Sequence, residues 1–121
     1  MNKVALIIDD SPSFCAVLQD MLSELGYESI VEPNVDRVMA ILGKGMASIV
    51  FLDMIMPQAP GWALGEVIQN FCKEKGIPVI FVSAEGPGFL SVLAPACGAS
   101  AFLGKPFTKE ELAEVLKKVS A

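Results

Sequence analysis

The stretch S-I-V-F-L-D-M-I-M-P, from Ser48 to Pro57, decides the fold class of this chain. Residues 49–52 are continuously apolar rather than alternating, which is typical of a parallel strand covered on both faces in the middle of an α/β sheet. We therefore predict a buried strand that ends at Asp53. Ligands of open parallel sheets bind outside the carboxyl ends of the strands, so Asp53 would lie at the site. A lone acid at a strand end is more often a cap, and other residues must support a functional role.

The composition fits one domain in the cytoplasm. Of the 121 residues 53% are hydrophobic, yet no uncharged apolar run approaches the roughly 18 residues that a membrane span needs. Asp9 and Asp10 come too early for the apolar region of a signal peptide. A net charge of -5 with scattered bases argues against direct nucleic-acid binding. The chain lacks histidine, and Cys15, Cys72 and Cys97 fall in apolar helical patterns, so we expect reduced core thiols rather than a zinc or haem site.

Strand and helix patterns alternate five times along the chain. Apolar runs predict strands at 4–8, 27–31, 48–53, 79–82 and 101–103. Helix-start signals follow these strands at Ser11 with Pro12, at Asn34 and at Thr108 with Glu111. This alternation predicts an α/β fold, with a parallel five-stranded sheet, right-handed crossovers and helices on both faces.

The helical periodicity also predicts which faces are buried. Three-and-four spacing places Val17 and Leu18 on the buried face of the first helix, and Val67 and Ile68 on that of the third, which is expected to end near Gly76. Residues 86–97 contain two prolines, so any fourth helix should be short.

Polar side chains end four of the predicted strands: Asp9, Asp10, Asp53, Ser83 and Lys105. Because two like charges at about 4 Å repel by roughly 4 kcal/mol at an effective dielectric near 20, three clustered carboxylates favour a hard cation such as Mg²⁺. A serine hydroxyl and a lysine ammonium suit the oxygens of a phosphoryl group. Each residue alone has a structural interpretation, but together they predict phosphoryl chemistry with Asp53 as the attacking carboxylate.

With these residues the chain resembles the receiver domain of two-component response regulators, and in particular the single-domain chemotaxis regulators of that family. The resemblance covers residues 1–121 as a single receiver domain and implies a flavodoxin-like (βα)5 three-layer sandwich with strand order 2-1-3-4-5. The matching motifs, in order, are D-D at 9–10, D-M-I-M-P at 53–57, Gly61, S-A at 83–84, G-A at 98–99 and K-P-F at 105–107.

The resemblance implies a role for each acid. Asp53 would accept a phosphoryl group from a histidine kinase or histidine phosphotransfer protein. Asp10, Asp53 and the backbone carbonyl of Ile55 would hold Mg²⁺, with Asp9 acting through water.

The resemblance further implies that Ser83 and Lys105 bind the phosphoryl oxygens. Ser83 and Phe102 would form the conformational switch that signals to a downstream output protein or domain. The chain would then be a signalling domain rather than an enzyme, with only self-phosphorylation and autodephosphorylation chemistry. It departs from the family pattern at Pro60, where an acid or amide often precedes the glycine, and in 86–97, part of the usual output surface.

Two other classes stay open on the sequence alone. A Mg²⁺-dependent phosphohydrolase with an Asp nucleophile would need an acid at position 55, where this chain has Ile55. A flavodoxin-like nucleotide or flavin binder would need a glycine-rich phosphate loop, which does not follow any of the strands.

Overall fold

Five parallel strands form one sheet in the computed structural model, which describes residues 3–53, 55–56, 59–83 and 101–120. The strands are β1 (Lys3–Ile8), β2 (Tyr27–Val31), β3 (Ile49–Asp53), β6 (Val79–Ser83) and β7 (Ala101–Gly104). Their order in the sheet is β2-β1-β3-β6-β7, and every neighbouring pair is parallel. Since β6 and β7 are the fourth and fifth strands of this sheet, the order 2-1-3-4-5 is confirmed.

A short antiparallel pair and four helices complete the described part of the chain. The pair is made of β4 (Ile55–Met56) and β5 (Ala59–Pro60), directly after the central strand. The helices are α1 (Pro12–Glu24), α2 (Val35–Gly43), α3 (Gly61–Lys75) and α4 (Lys109–Ser120). None of the helices in these ranges is long and apolar enough to cross a membrane.

The central strand β3 is buried along its whole length, including Asp53. It pairs with β1 on one side, where Ile8 is in register with Leu52, and with β6 on the other, where Asp53 is in register with Val82. Because both edges and both faces are covered, no position of β3 faces solvent, and this explains its continuous apolar run.

Each face of the sheet has its own hydrophobic core, so the fold has three layers. One core packs α2 and α3 on the sheet through buried residues that include Val38, Leu42, Val50, Ile68 and Cys72. The other packs α1 and α4 on the opposite face through Leu18, Leu22, Phe51, Leu112 and Leu116, among others. The three-layer α/β fold predicted from the sequence is therefore confirmed.

Side-chain caps fix where α2 and α4 begin. The Asn34 Oδ1 accepts a hydrogen bond from the backbone N–H of Arg37 at 3.2 Å. At α4 the Thr108 Oγ1 accepts from the Glu111 N–H and a Glu111 carboxylate oxygen accepts from the Thr108 N–H, both at 3.1 Å. This reciprocal pair is the capping box expected from the sequence.

The predicted buried faces were wrong at two valines. Val17 is 51% exposed and Val67 is 54% exposed. In each helix the following residue, Leu18 or Ile68, is fully buried. Successive residues of a helix are about 100° apart around its axis. When the helix contacts the sheet along a narrow strip, one residue of such a pair is buried and its neighbour lies outside the strip, exposed to solvent.

Cys15 and Cys72 are buried free thiols, as expected. Cys97 and the short helix predicted within 86–97 lie outside the described residues, as do the motif residues Ala84, Gly98 and Ala99.

Candidate functional site

Three carboxylates meet at the carboxyl ends of the two central strands. Asp9 and Asp10 follow β1, and Asp53 ends the neighbouring strand β3. One oxygen atom from each of the three residues lies within 4.8 Å of the others. Asp9 and Asp53 are 3% and 7% exposed, whereas Asp10 is half-buried. The three acids thus form a cluster in which Asp10 is the residue most accessible to solvent.

Lys105 adds an ammonium group to this acidic cluster. Its Nζ donates a hydrogen bond to Oδ2 of Asp9 at 2.7 Å and lies 3.7 Å from Oδ2 of Asp53. The strand register explains why Lys105 lies near the acids. Ser83, the last residue of β6, pairs with Gly104 of β7, so Lys105 follows at the same end of the sheet. The ammonium therefore bridges acids that come from two different strands.

Both carboxylate oxygens of Asp9 are engaged within the protein. Oδ1 accepts a hydrogen bond from the backbone N–H of Ser11 at 2.8 Å, and Oδ2 accepts from Lys105. An oxygen already bound in this way has less capacity for a direct metal bond. Asp9 is accordingly better suited to act on a cation through a water molecule than by a direct bond.

The charge of the cluster matches a divalent cation. Three carboxylates contribute −3 and the Lys105 ammonium +1, which leaves −3 + 1 = −2. The donors are carboxylate oxygens, which suit a hard cation such as Mg²⁺. These residues therefore fit the metal that the sequence predicts. Lys105 also supplies part of the compensating charge that the sequence argument assigned to the metal alone.

The nearby Cys15 does not extend the donor set. Its thiol donates a weak hydrogen bond to the backbone oxygen of Asp9, with an S···O distance of 3.6 Å. Burial, with a further contribution from the negative charge of Asp9, raises the pKa of Cys15 to about 11. The group of residues whose ligand atoms lie within 4.8 Å of one another consists of Asp9, Asp10 and Asp53, without Cys15.

An aromatic residue that the sequence analysis did not select lies against the lysine. The Lys105 Nζ is 4.0 Å from the centroid of the Phe14 ring, within the range of a cation–π contact. Phe14 in turn packs edge-to-face on Phe107, with 5.8 Å between ring centroids and an interplanar angle of 79°. The available sequence signal was the position of Phe14 in the first turn of α1, only four residues after the paired acids.

The remaining predicted site residues are placed by the backbone. Ser83 ends β6 beside Gly104, and Ile55 lies in β4, two residues after Asp53. Phe102 pairs in register with Phe81 in the sheet and is 39% exposed. The functions of these three residues stay predictions.

Fold and site together define a flavodoxin-like α/β domain with an acidic cluster that could hold a cation, contacted by a lysine, at the carboxyl edge of its sheet. The chain belongs to the response regulator receiver domain family, whose profile matches residues 5–117.

Curated relatives support the family match. The chain is 32% identical over 114 residues to a probable transcriptional regulator, ycf27, of Porphyra purpurea, covering 94% of the chain and 46% of that protein. It is 28% identical over 116 residues to the chemotaxis protein CheY1 of Helicobacter pylori, covering 94% of each. The chain thus spans about half the length of the transcriptional regulators it matches and nearly all of the chemotaxis protein.

Solved structures confirm the fold. The chemotaxis protein CheY4 of Vibrio cholerae superposes with a TM-score of 0.84 at 24% identity, covering 98% of this chain and 99% of that one. A putative response regulator of Chloroflexus aurantiacus gives a TM-score of 0.87 at 23% identity, with 98% of both chains covered.

Proposed function

We propose that this domain accepts a phosphoryl group on Asp53 from a histidine kinase or histidine phosphotransfer protein, in a Mg²⁺-dependent reaction, and then signals to a downstream protein or domain. One observation carries the proposal: three carboxylates from adjacent strand ends lie within 4.8 Å of one another, and the Lys105 ammonium contacts two of them. This combination provides a nucleophile, a cation site and a fixed positive charge at one place.

The chemistry assigns a separate task to each group. A carboxylate oxygen of Asp53 attacks phosphorus, the P–N bond of the phosphohistidine donor breaks, and its electron pair stays on the imidazole nitrogen. Asp10, Asp53 and the Ile55 carbonyl would hold Mg²⁺, with Asp9 acting through water. When bound, Mg²⁺ would neutralise negative charge on the phosphoryl oxygens.

Lys105 would contact a negatively charged oxygen both before and after phosphoryl transfer. Before transfer its ammonium contacts Asp9 and Asp53, and after transfer it would contact a phosphoryl oxygen, whose charge replaces that of the Asp53 carboxylate. Ser83, at the next strand end, would donate a hydroxyl hydrogen bond to another phosphoryl oxygen.

The output would follow from the position of Ser83 and Phe102 on neighbouring strands. A new hydrogen bond at Ser83 would change the environment of Phe102, which is 39% exposed on the neighbouring strand. In this role residues 1–121 would form one receiver domain in the cytoplasm, with no substrate of its own beyond the phosphoryl group. The family match favours this function over a phosphohydrolase or a flavin binder.

The test is phosphorylation by acetyl phosphate or a phosphorylated histidine kinase, followed by intact-protein mass spectrometry. We expect one added phosphoryl group in the presence of Mg²⁺, none in Asp53→Asn, and a normal result for Asp20→Asn, an exposed acid in α1 that serves as the matched control. Asp10→Ala should need more Mg²⁺ for the same rate. Equal phosphorylation of Asp53→Asn would overturn the assignment.

A further inference from the structure

The Lys105 ammonium contacts groups of two different kinds. The first are the Asp9 and Asp53 carboxylate oxygens, at 2.7 and 3.7 Å. The second is the face of the Phe14 ring, with the ring centroid 4.0 Å from Nζ. A lysine side chain is a compact charge on a flexible four-carbon stem, so its position depends on such neighbours.

The ring that faces Lys105 is itself fixed. Phe14 packs edge-to-face on Phe107, which is buried and only two residues after Lys105. The aromatic pair therefore connects the first turn of α1 to the segment that carries the lysine. An edge-to-face pair restricts the orientation of both rings, so the Phe14 ring keeps its face toward the ammonium.

An aromatic face differs from a carboxylate as a partner for this lysine. The ring attracts the cation through its quadrupole. Unlike a carboxylate, it has no oxygen atom that could leave the lysine to bind a metal ion or the phosphorus atom. When the charge on Asp53 changes, the lysine's carboxylate contacts must rearrange, whereas the ring contact requires no such exchange.

We propose that Phe14 is a positioning residue for Lys105: its ring face holds the ammonium at the edge of the acidic cluster, so that the lysine meets the incoming phosphoryl group without first being ordered. The inference rests on the proposed function for its catalytic consequence, but the contact itself is testable without phosphorylation.

The sharpest test replaces Phe14 with phenylalanine analogues that carry progressively more fluorine on the ring. Fluorine withdraws charge from the ring face while nearly keeping the shape of the ring, so a role that depends only on the volume of the side chain would be little affected. We expect the rate of phosphorylation at saturating Mg²⁺ to fall stepwise along the series, by about three- to tenfold in total. Phe14→Tyr should retain most of the phosphorylation rate. Phe14→Leu should be slowed about as much as the most fluorinated analogue.

A second measurement reports on the contact in the unphosphorylated protein. Protons on the carbon next to Nζ of Lys105 lie near the ring face and should show an upfield ring-current shift in the NMR spectrum. The shift should persist in Phe14→Tyr and disappear in Phe14→Leu. If the wild type is not phosphorylated but the shift is present, the proposed function fails while the lysine contact stands.

Met21→Ala is the matched control for lost packing. Met21 lines the same apolar groove of about 270 Å³ between α1 and residues 106–107 as Phe14 does. This substitution should leave both the phosphorylation rate and the Lys105 shift close to wild type. A rate that stays constant across the fluorinated series, or a Lys105 shift that is absent in the wild type, would overturn the proposal.

Discussion

Replacing Lys105 by methionine removes the internal cation of the acidic cluster while keeping an unbranched side chain that is one atom shorter. At an effective dielectric near 20, a unit charge pair interacts by about 6 kcal/mol at 2.7 Å, the separation from Asp9. At 3.7 Å, the separation from Asp53, the corresponding figure is about 4.5 kcal/mol. Desolvation of the partners offsets most of this attraction, and the lysine side chain is still 17% exposed. We therefore expect the Mg²⁺-free protein to lose about 1–3 kcal/mol of unfolding free energy.

The same substitution should strengthen Mg²⁺ binding. Without Lys105 the cluster has a formal charge of −3 rather than −2, and an entering cation no longer meets the ammonium. We expect about tenfold tighter binding, which corresponds to ~1.4 kcal/mol. A metal concentration one hundred times the dissociation constant stabilises a folded protein by about 2.7 kcal/mol. At that concentration Lys105→Met should be about as stable as the wild type is without Mg²⁺.

Urea unfolding with and without MgCl₂, together with calorimetric Mg²⁺ titration, measures both effects. Lys109→Met is the control, because Lys109 is 3.7 Å from Glu24 in an ion pair whose side chains are 43% and 62% exposed. Exposed pairs contribute at most about 1 kcal/mol, and this one is not part of the acidic cluster. If Lys105→Met behaves like Lys109→Met in both assays, the bridge between Asp9 and Asp53 does not carry the energy assigned to it.

Three further predictions follow from single features. Thr108→Ala should destabilise the protein by about 1 kcal/mol in urea unfolding, since it removes one half of the reciprocal cap with Glu111; an unchanged midpoint would show that the cap is dispensable. Burial raises the pKa of Cys72 from 9.0 to about 11, so the folded state holds this proton more tightly than the unfolded state does. Its stabilising contribution is complete below pH 9 and is lost as the pH rises toward 11, so the unfolding free energy of wild type should fall more steeply over this window than that of Cys72→Ala. Ile55→Asn should alter the rate of dephosphorylation of Asp53, followed by loss of the phosphorylated mass, more than it alters unfolding, because an amide can orient an attacking water where isoleucine cannot; equal lifetimes in both proteins would remove that role.

The amino-acid sequence by itself determined the fold class and the place of the site. The continuous apolar runs that end at Asp9 and Asp53 require strands covered on both faces, and a parallel sheet brings the carboxyl ends of such strands to one edge. The cap signals at Asn34 and Thr108 act over three residues, so they too could be predicted locally. The strand order came from the resemblance to receiver domains, because periodicity alone does not order strands.

Only the tertiary structure decided which groups meet within the site. Lys105 and Asp9 are 96 positions apart, and their 2.7 Å contact depends on the path of the chain after β7 and on side-chain rotamers. The same is true of the Phe14 ring, whose place against the lysine no sequence spacing encodes. Exposure of Val17 was likewise decided by packing, since the width of the strip that α1 buries depends on how the helix lies across the sheet.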